Sequence, residues 1–223
     1  EQLAPEAIAI NLLYSFLNDD EEKRLEASLN ERYFVSRSSF VLPKYKEYER
    51  GMATWLNASL GPKVSKYIEN LNQSLPNCSV SIMQSSGGTI AIEQAAKRAV
   101  NLLLSGPAGG LSAIKTLGQQ INNSRLMSFD MGGTSTDVSR YDGNFTRITE
   151  VELGGINFQA SSLDIETVAA GGGSLLWFDG QKLQVGPESA GALPGPVCYG
   201  LDGKLAVTDA NLILGRINPN FFP

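Results

Sequence analysis

Apolar and polar positions divide the chain near residue 75, where the apolar spacing changes from helical to strand-like. Before that point, Ala7, Ile8, Leu12, Leu13 and Phe16 follow Pro5, which a first helical turn tolerates, and predict a helix of about 12 residues. Asn18-Asp19-Asp20 stops this helix and caps a second, whose acidic first turn (Asp20, Glu21, Glu22) suits the helix dipole. Tyr33-Phe34-Val35-Ser36 predicts a short strand, and Pro43 a break. Tyr45 to Leu60 and Pro62 to Leu75 carry amphipathic helical spacing, with Gly61-Pro62 between them as a break or kink.

Beyond Leu75, Val80 to Ile82 predicts a strand closed by Ser85-Ser86-Gly87-Gly88. A helix over 91–99, an apolar stretch from Val100 to Leu104 and a helix from Ser105 to Gln120 follow. Leu126 to Phe129 reads as a buried strand ending at Asp130. Strands are then expected over Thr136–Tyr141, Phe145–Leu153, Ser174–Phe178 and Lys182–Val185, the last two joined by Asp179-Gly180, a type I′ hairpin signal. Thr208-Asp209-Ala210 caps a final helix over 209–215. Alternation followed by hairpins indicates an α/β protein with a mixed sheet and a helical N-terminal part, and Trp55 and Trp177 read as core.

With 223 residues and 42% hydrophobic positions, the chain can bury a core as one large or two small domains. It has no histidine, which removes Ser-His-Asp and Cys-His nucleophiles, histidine bases and histidine-ligated metals. Chemistry is left to carboxylates, hydroxyls, backbone amides and a hard cation. A net charge of −5 with dispersed basic residues argues against nucleic-acid binding. No apolar run reaches membrane-span length, and Cys78 and Cys198 lie far apart in sequence, read here as reduced buried thiols. A cytoplasmic location is the default expectation. The start at Glu1-Gln2-Leu3, without an initiator Met, and the end at Phe222-Pro223 suggest a piece of a longer protein.

The most informative stretch is Phe129-Asp130-Met131-Gly132-Gly133-Thr134-Ser135-Thr136-Asp137-Val138-Ser139. An aspartate ends a strand, two glycines turn the chain, hydroxyls follow, and a second aspartate opens the next strand. Glycines permit positive φ and close approach of backbone N–H groups to a phosphate. Mg2+ takes one or two carboxylates together with phosphate oxygens and waters, and Asp130 and Asp137 at the mouths of such a loop suit it. Thr134 and Thr136 add hydroxyl donors. The competing structural account is a plain hairpin with solvated aspartates. A Walker A loop is excluded because its lysine is missing and a strand follows.

This loop resembles the second phosphate loop of the actin, sugar-kinase and heat-shock-chaperone ATPase superfamily, and Ser105 to Gly110 resembles that superfamily's interdomain connector. More narrowly, the chain resembles the A-type, ATP-binding half of the hydantoinase/5-oxoprolinase family. The runs that carry this are Glu47 to Arg50, Met83 to Gly88, Ser105 to Gly110, Phe129 to Ser139, Gly171-Gly172-Gly173-Ser174, Gly186 to Gly200 and Thr208 to Asn211. The resemblance implies an actin-like ATPase (ribonuclease H-like) fold. Its first lobe would hold residues 1–104, and its second the connector helix and nucleotide-binding part over 105–223.

The resemblance further implies ATP and Mg2+ as cofactors, a cyclic amide substrate such as 5-oxoproline or a hydantoin, and a B-type half as partner. Asp130 and Asp137 become the catalytic and metal-holding residues, with Gly132, Gly133, Thr134, Thr136, Gly171, Gly172 and Gly173 against the nucleotide. A ketone substrate, as in a carboxylating branch, is equally compatible. Family members carry an earlier Asp-x-Gly-Gly-Thr loop and this chain has one, so it matches the later part of the A half and is not expected to hydrolyse ATP alone. A regulatory ATP switch without substrate chemistry, or an assembly domain with a vestigial loop, are the rival functions.

The other features favour structural roles. Most of Gly186 to Gly200 reads as a rigid plug packing Cys198 and Tyr199 in the core, leaving Glu188 and Ser189 as substrate contacts. Thr208-Asp209 reads as a cap, and Glu47 with Arg50 as a surface pair open to an interdomain or substrate role. Neither cysteine has an activating base nearby in sequence.

Overall fold

A computed structural model describes residues 4–153 and 155–221, so the terminal runs Glu1–Leu3 and Phe222–Pro223 lie outside the described residues. In chain order its first elements are β1 (Ala7–Ile10), α1 (Asp20–Leu29), β2 (Phe34–Arg37), α2 (Ser38–Val41) and α3 (Glu47–Ser74). Next come β3 (Ser81–Met83), β4 (Thr89–Ala91), α4 (Ile92–Lys97), α5 (Ser105–Gln120), β5 (Arg125–Met131) and β6 (Thr136–Asp142). The chain continues with β7 (Arg147–Leu153), β8 (Ile156–Leu163), β9 (Glu166–Val168), β10 (Ser174–Phe178), β11 (Leu183–Ser189) and α6 (Val207–Ile213). They form two compact units, Glu1–Ala113 with Phe145–Asp164, and Ile114–Asn144 with Ile165–Pro223. Among the described residues no helix is long and apolar enough to cross a membrane.

Strand β1 replaces the first expected helix. It pairs in parallel with β2, from Ala7 opposite Phe34 to Ile10 opposite Arg37. A short run such as Ala-Ile-Ala-Ile has no period that separates a buried strand from a helix, and a neighbouring strand decides the matter. The break expected at Gly61-Pro62 is also absent, because α3 runs through it for 28 residues. Gly61 serves another purpose: a Cβ there would come within 2.1 Å of the Phe34 ring, so its bare Cα lets helix and strand close up.

In the first unit, Val100, Val151, Phe158 and Ala160 form one core cluster, and Ile68, Ile92 and Ala95 another. The β7–β8 hairpin supplies three of the four residues of the first cluster. Instead of one mixed sheet, the described strands form five small sheets, of which β1–β2 is parallel and the rest antiparallel.

Several expected core residues are exposed. Trp55 and Trp177 are each 48% exposed, Cys78 is exposed, and the supposedly buried β5 shows Met127 and Phe129 to solvent because nothing described here covers that face. The hairpin after β10 closes through four residues, 179–182, rather than a two-residue type I′ turn. Asp179 Oδ1 accepts the N–H groups of Gln181 and Lys182 there, and a side-chain acceptor stabilises this longer loop.

Arg50 is not a surface residue. It is fully buried, 4.0 Å from exposed Glu47. Its Nε donates to Asn11 Oδ1 (3.0 Å), Nη1 to the Lys44 carbonyl (3.1 Å) and Nη2 to the Leu12 carbonyl (2.6 Å), with the Phe16 ring beneath it. Glu22, also fully buried, accepts from Leu12 N–H (2.9 Å), the Ser38 hydroxyl (2.6 Å) and Ser39 N–H (2.9 Å). Two buried charges thus hold the two sides of residue Leu12 and fix the loop after β1. Burial raises the Glu22 pKa, but the Ser38, Leu12 and Ser39 hydrogen bonds outweigh it and hold the carboxyl below its ordinary value.

Candidate functional site

The second unit builds the aspartate loop from an antiparallel ladder. Strands β5 and β6 pair from Arg125 opposite Asp142 to Met131 opposite Thr136, which sets Asp130 directly opposite Asp137. Residues facing each other across such a ladder project to the same side of the sheet. The two carboxylates therefore share one face, and Thr167 on β9, opposite Asp137, extends the row. Its hydroxyl donates to Asp137 Oδ1 at 2.6 Å. Asp130 is exposed and has no hydrogen-bond or ion-pair partner among the described residues, and no cation neutralises Asp137 there.

Residues 132–135 connect the strands, and Gly132 N–H donates to the Ser135 carbonyl at 2.9 Å. The expected positive φ is not used at Gly132 or Gly133. What glycine supplies is bareness: nothing lies within 4 Å of where a Gly133 Cβ would stand. Thr134 beside it is exposed. Thr136 departs from the expected nucleotide-facing role. It is buried, and its hydroxyl donates to the Ala170 carbonyl at 2.5 Å, leaving no proton for a phosphate.

The structure brings Gly171, Gly172 and Gly173 onto the same loop, in a different capacity from the expected one. Gly172 N–H donates to the Gly132 carbonyl (2.9 Å), Gly173 N–H to the Gly133 carbonyl (2.6 Å) and Gly171 N–H to Ser174 Oγ (2.8 Å). All three N–H groups are taken by the chain itself. A Cβ on Gly171 or Gly173 would lie 2.8 Å from the carbonyl oxygens of this turn, so the glycines allow backbone to stack on backbone. Thr208 locks the stack, because its N–H and hydroxyl both donate to the Gly172 carbonyl (2.7 and 2.8 Å).

Thr167, Ala170 and Thr208 were not singled out as site residues from the sequence. The signal for Thr208 was its place in a run shared with the family. The three-residue β9 that carries Thr167 is too short to show a period.

Asp209 lies inside α6 at its third position rather than ahead of the helix, and accepts N–H groups from Ala206 (2.7 Å), Cys198 (2.8 Å) and Val197 (3.2 Å). Burial raises its pKa, but the hydrogen bonds from Cys198, Ala206 and Val197 prevail and lower it. Burial, followed by the hydrogen bond to Asp209 and that residue's charge, pushes the Cys198 thiol up to about 11, the opposite of what a nucleophile needs. Tyr199 is 40% exposed, so the Gly186–Gly200 segment is the end of β11 followed by a braced loop rather than a core plug. Glu188 lines a cavity of about 390 Å3 with Trp177 and Lys204, while Ser189 Oγ accepts the Gly191 N–H.

The arrangement can do one thing plainly. Like charges opposed across a ladder repel, and a divalent cation in front of them relieves that repulsion. Among the described residues no cluster of three or more metal-ligating side chains occurs. Two carboxylates beside an open glycine turn instead fit Mg2+, which keeps most of its waters and phosphate oxygens.

Against known proteins, the Hydantoinase/oxoprolinase family model matches residues 50–223. The 5-oxoprolinase 1 of Arabidopsis thaliana is 43% identical over 223 residues, which cover 97% of this chain and 18% of that protein. The nucleotide-free structure of acetone carboxylase, from work on ATP-dependent acetone carboxylation, superposes with a TM-score of 0.77 and 27% identity, over 97% of this chain and 32% of that one. The crystal structure of the ATP-dependent caprolactamase from Pseudomonas jessenii gives a TM-score of 0.72 and 36% identity, over 95% of this chain and 32% of the other. The chain therefore spans a third or less of the length of each.

Proposed function

Because this chain belongs to the hydantoinase/oxoprolinase family, we propose that it is part of an ATP-dependent hydrolase that activates a cyclic amide, 5-oxoproline or a hydantoin-like ring, by phosphoryl transfer before ring opening. The observation that carries the reading is the like-charged pair Asp130 and Asp137, in register on one sheet face, without a neutralising cation and beside the bare Gly133.

In this reading Asp130 and Asp137 hold Mg2+ through its waters, and the metal supplies charge neutralisation at the phosphates. Gly132 and Gly133 let the backbone approach the phosphate chain, Thr134 offers its exposed hydroxyl, and Thr167 orients Asp137. Gly171, Gly172, Gly173 and Thr136 hold the turn in shape from behind, which is positioning rather than contact. Catalysis of this kind is mainly placement and electrostatics, so a rigid turn matters more than a strong base. The wider reading includes an actin-like fold whose lobes divide at 104/105, a B-type half that hydrolyses the activated amide, and a cytoplasmic setting. The family resemblance supports these.

The test is phosphate release by the full-length protein with its B-type half. Release that depends on a cyclic amide, and that Asp130→Ala lowers by about 100-fold or more, supports the reading. Release that is indifferent to every amide supports a regulatory ATP switch instead, and an unchanged Asp130→Ala rate overturns the site.

A further inference from the structure

Two backbone donors of the aspartate turn are free. The N–H groups of Gly133 and Thr134 make no hydrogen bond among the described residues, and both residues are exposed. The carbonyls of the same two peptide groups are occupied, that of Gly132 by the Gly172 N–H (2.9 Å) and that of Gly133 by the Gly173 N–H (2.6 Å). A trans peptide directs its C=O and N–H to opposite sides, and neither of these peptides is cis. Two successive carbonyls that reach one loop leave their N–H groups together on the far side, as in an anion-binding nest.

Behind this loop stands Thr208. Its N–H (2.7 Å) and its hydroxyl (2.8 Å) both donate to the Gly172 carbonyl, and the N–H of that same peptide group is the one Gly173 gives to the Gly133 carbonyl. The peptide group carrying the Gly133 carbonyl ends in the free Thr134 N–H. A peptide whose carbonyl accepts a hydrogen bond becomes a stronger donor at its own N–H, so bonds in such a chain reinforce one another. The parallel path, to the Gly133 N–H, starts from one longer bond, Ser174 N–H to the Gly171 carbonyl at 3.1 Å. Only the path to Thr134 begins at a side-chain donor. Thr208 is itself held in place, because its neighbour Asp209 takes the N–H groups of Val197, Cys198 and Ala206.

We infer that Thr208 is a positioning residue for phosphate binding: through the Gly172–Gly173 peptide, its hydroxyl fixes and strengthens the Thr134 N–H that meets a phosphate oxygen. Thr208 acts through the backbone and does not touch the ligand. This role rests on the reading of the turn as a phosphate loop, and adds the atom that meets the oxygen and the residue that sets its strength.

Calorimetric titration of the full-length protein with the magnesium complex of a β,γ-imido ATP analogue tests it without turnover. Thr208→Val keeps the shape and removes the hydroxyl, and should weaken binding about three- to tenfold, the loss expected for one hydrogen bond. Thr208→Ser keeps the hydroxyl and should stay within about twofold of the parent. If valine prevents folding, Thr208→Ala against Thr208→Ser gives the same comparison. A valine or alanine variant with a lowered denaturation midpoint but unchanged affinity, or a serine variant as weak as these, would leave Thr208 a structural residue and overturn the role. Gly133→Ala checks the turn separately. Its φ lies outside the left-handed region and nothing stands within 4 Å of the added Cβ, so the fold accepts a methyl that crowds the two N–H groups. It should weaken the analogue about tenfold or more. A loss with Gly133→Ala and none with Thr208→Val would remove the relay and keep the phosphate loop. No loss with Gly133→Ala, or no binding by the parent, would remove the loop and the relay with it.

Discussion

Two pairs of charged residues are treated in opposite ways by the two units. Glu22 and Arg50 are completely buried, and each makes three hydrogen bonds, Glu22 to backbone N–H and hydroxyl groups and Arg50 to backbone carbonyls and the Asn11 side chain, around Leu12. Asp130 and Asp137 face each other across a ladder at the sheet surface, with like charge, and only Asp137 has a side-chain donor, Thr167. A charge that has left water needs its full set of partners, so the first pair is tied into the fold and cannot release its neighbours. A charge that keeps access to water can tolerate an unfavourable neighbour, and that tolerance leaves a place for a cation. The comparison teaches that burial with several hydrogen-bond partners marks structure, whereas exposure with unrelieved repulsion marks a site.

The sharpest way to break this contrast is Arg50→Ala in the full-length protein. Emptying a buried charge site held by three hydrogen bonds should cost about 3–5 kcal/mol, read as a lower denaturation midpoint. A loss below ~1 kcal/mol would show that these bonds do not hold the fold.

Gly173→Ala ranks next, since its methyl would meet the Gly133 carbonyl and Ser189 Oγ at 2.8 Å. A cost of about 1–3 kcal/mol is expected, with weaker ATP binding in the same titration, because the turn must shift.

Glu22→Gln should cost about 1–3 kcal/mol at neutral pH, because one of the three donors then meets an NH2 group. The pH dependence has a definite sign. A carboxyl held below its unfolded value contributes stability above the unfolded pKa and loses it as pH falls through the folded one. Acid unfolding curves should therefore be steeper for the parent than for Glu22→Gln; parallel curves would remove Glu22 from the account.

Asp130→Asn should have the smallest effect on stability and the opposite sign. Relieving the cross-strand repulsion should leave stability unchanged or raise it by about 0.2–1 kcal/mol. A marked loss of midpoint would place Asp130 among the structural charges instead.

Much of this contrast was legible in the residues, though unevenly. The Asp130 to Asp137 run indicated a strand, a tight glycine turn and a strand because alternation and turn chemistry are local, and the ladder has that form. The acidic first turn of α1 was equally local. The burial of Arg50 was not legible: Glu47 and Arg50 one turn apart look like any surface pair, and only the loop after β1 folding back over α3 makes one of them interior. Gly171 to Gly173 misled for a related reason. Glycines mark close approach, but sequence does not say to what, and here they meet another stretch of the same chain.

The sequence by itself determined the chemistry available to this protein: no imidazole, two aspartates around a glycine turn, and a succession of runs specific enough to place its family. Local steric rules and short-range hydrogen bonding are written in neighbouring residues, so these features survive without coordinates. Tertiary structure decided whether Ala7–Ile10 would be strand or helix, which charges left water, and whether each glycine faces a ligand or its own backbone. Those outcomes depend on partners tens of residues away, and no local pattern encodes which distant surface will arrive.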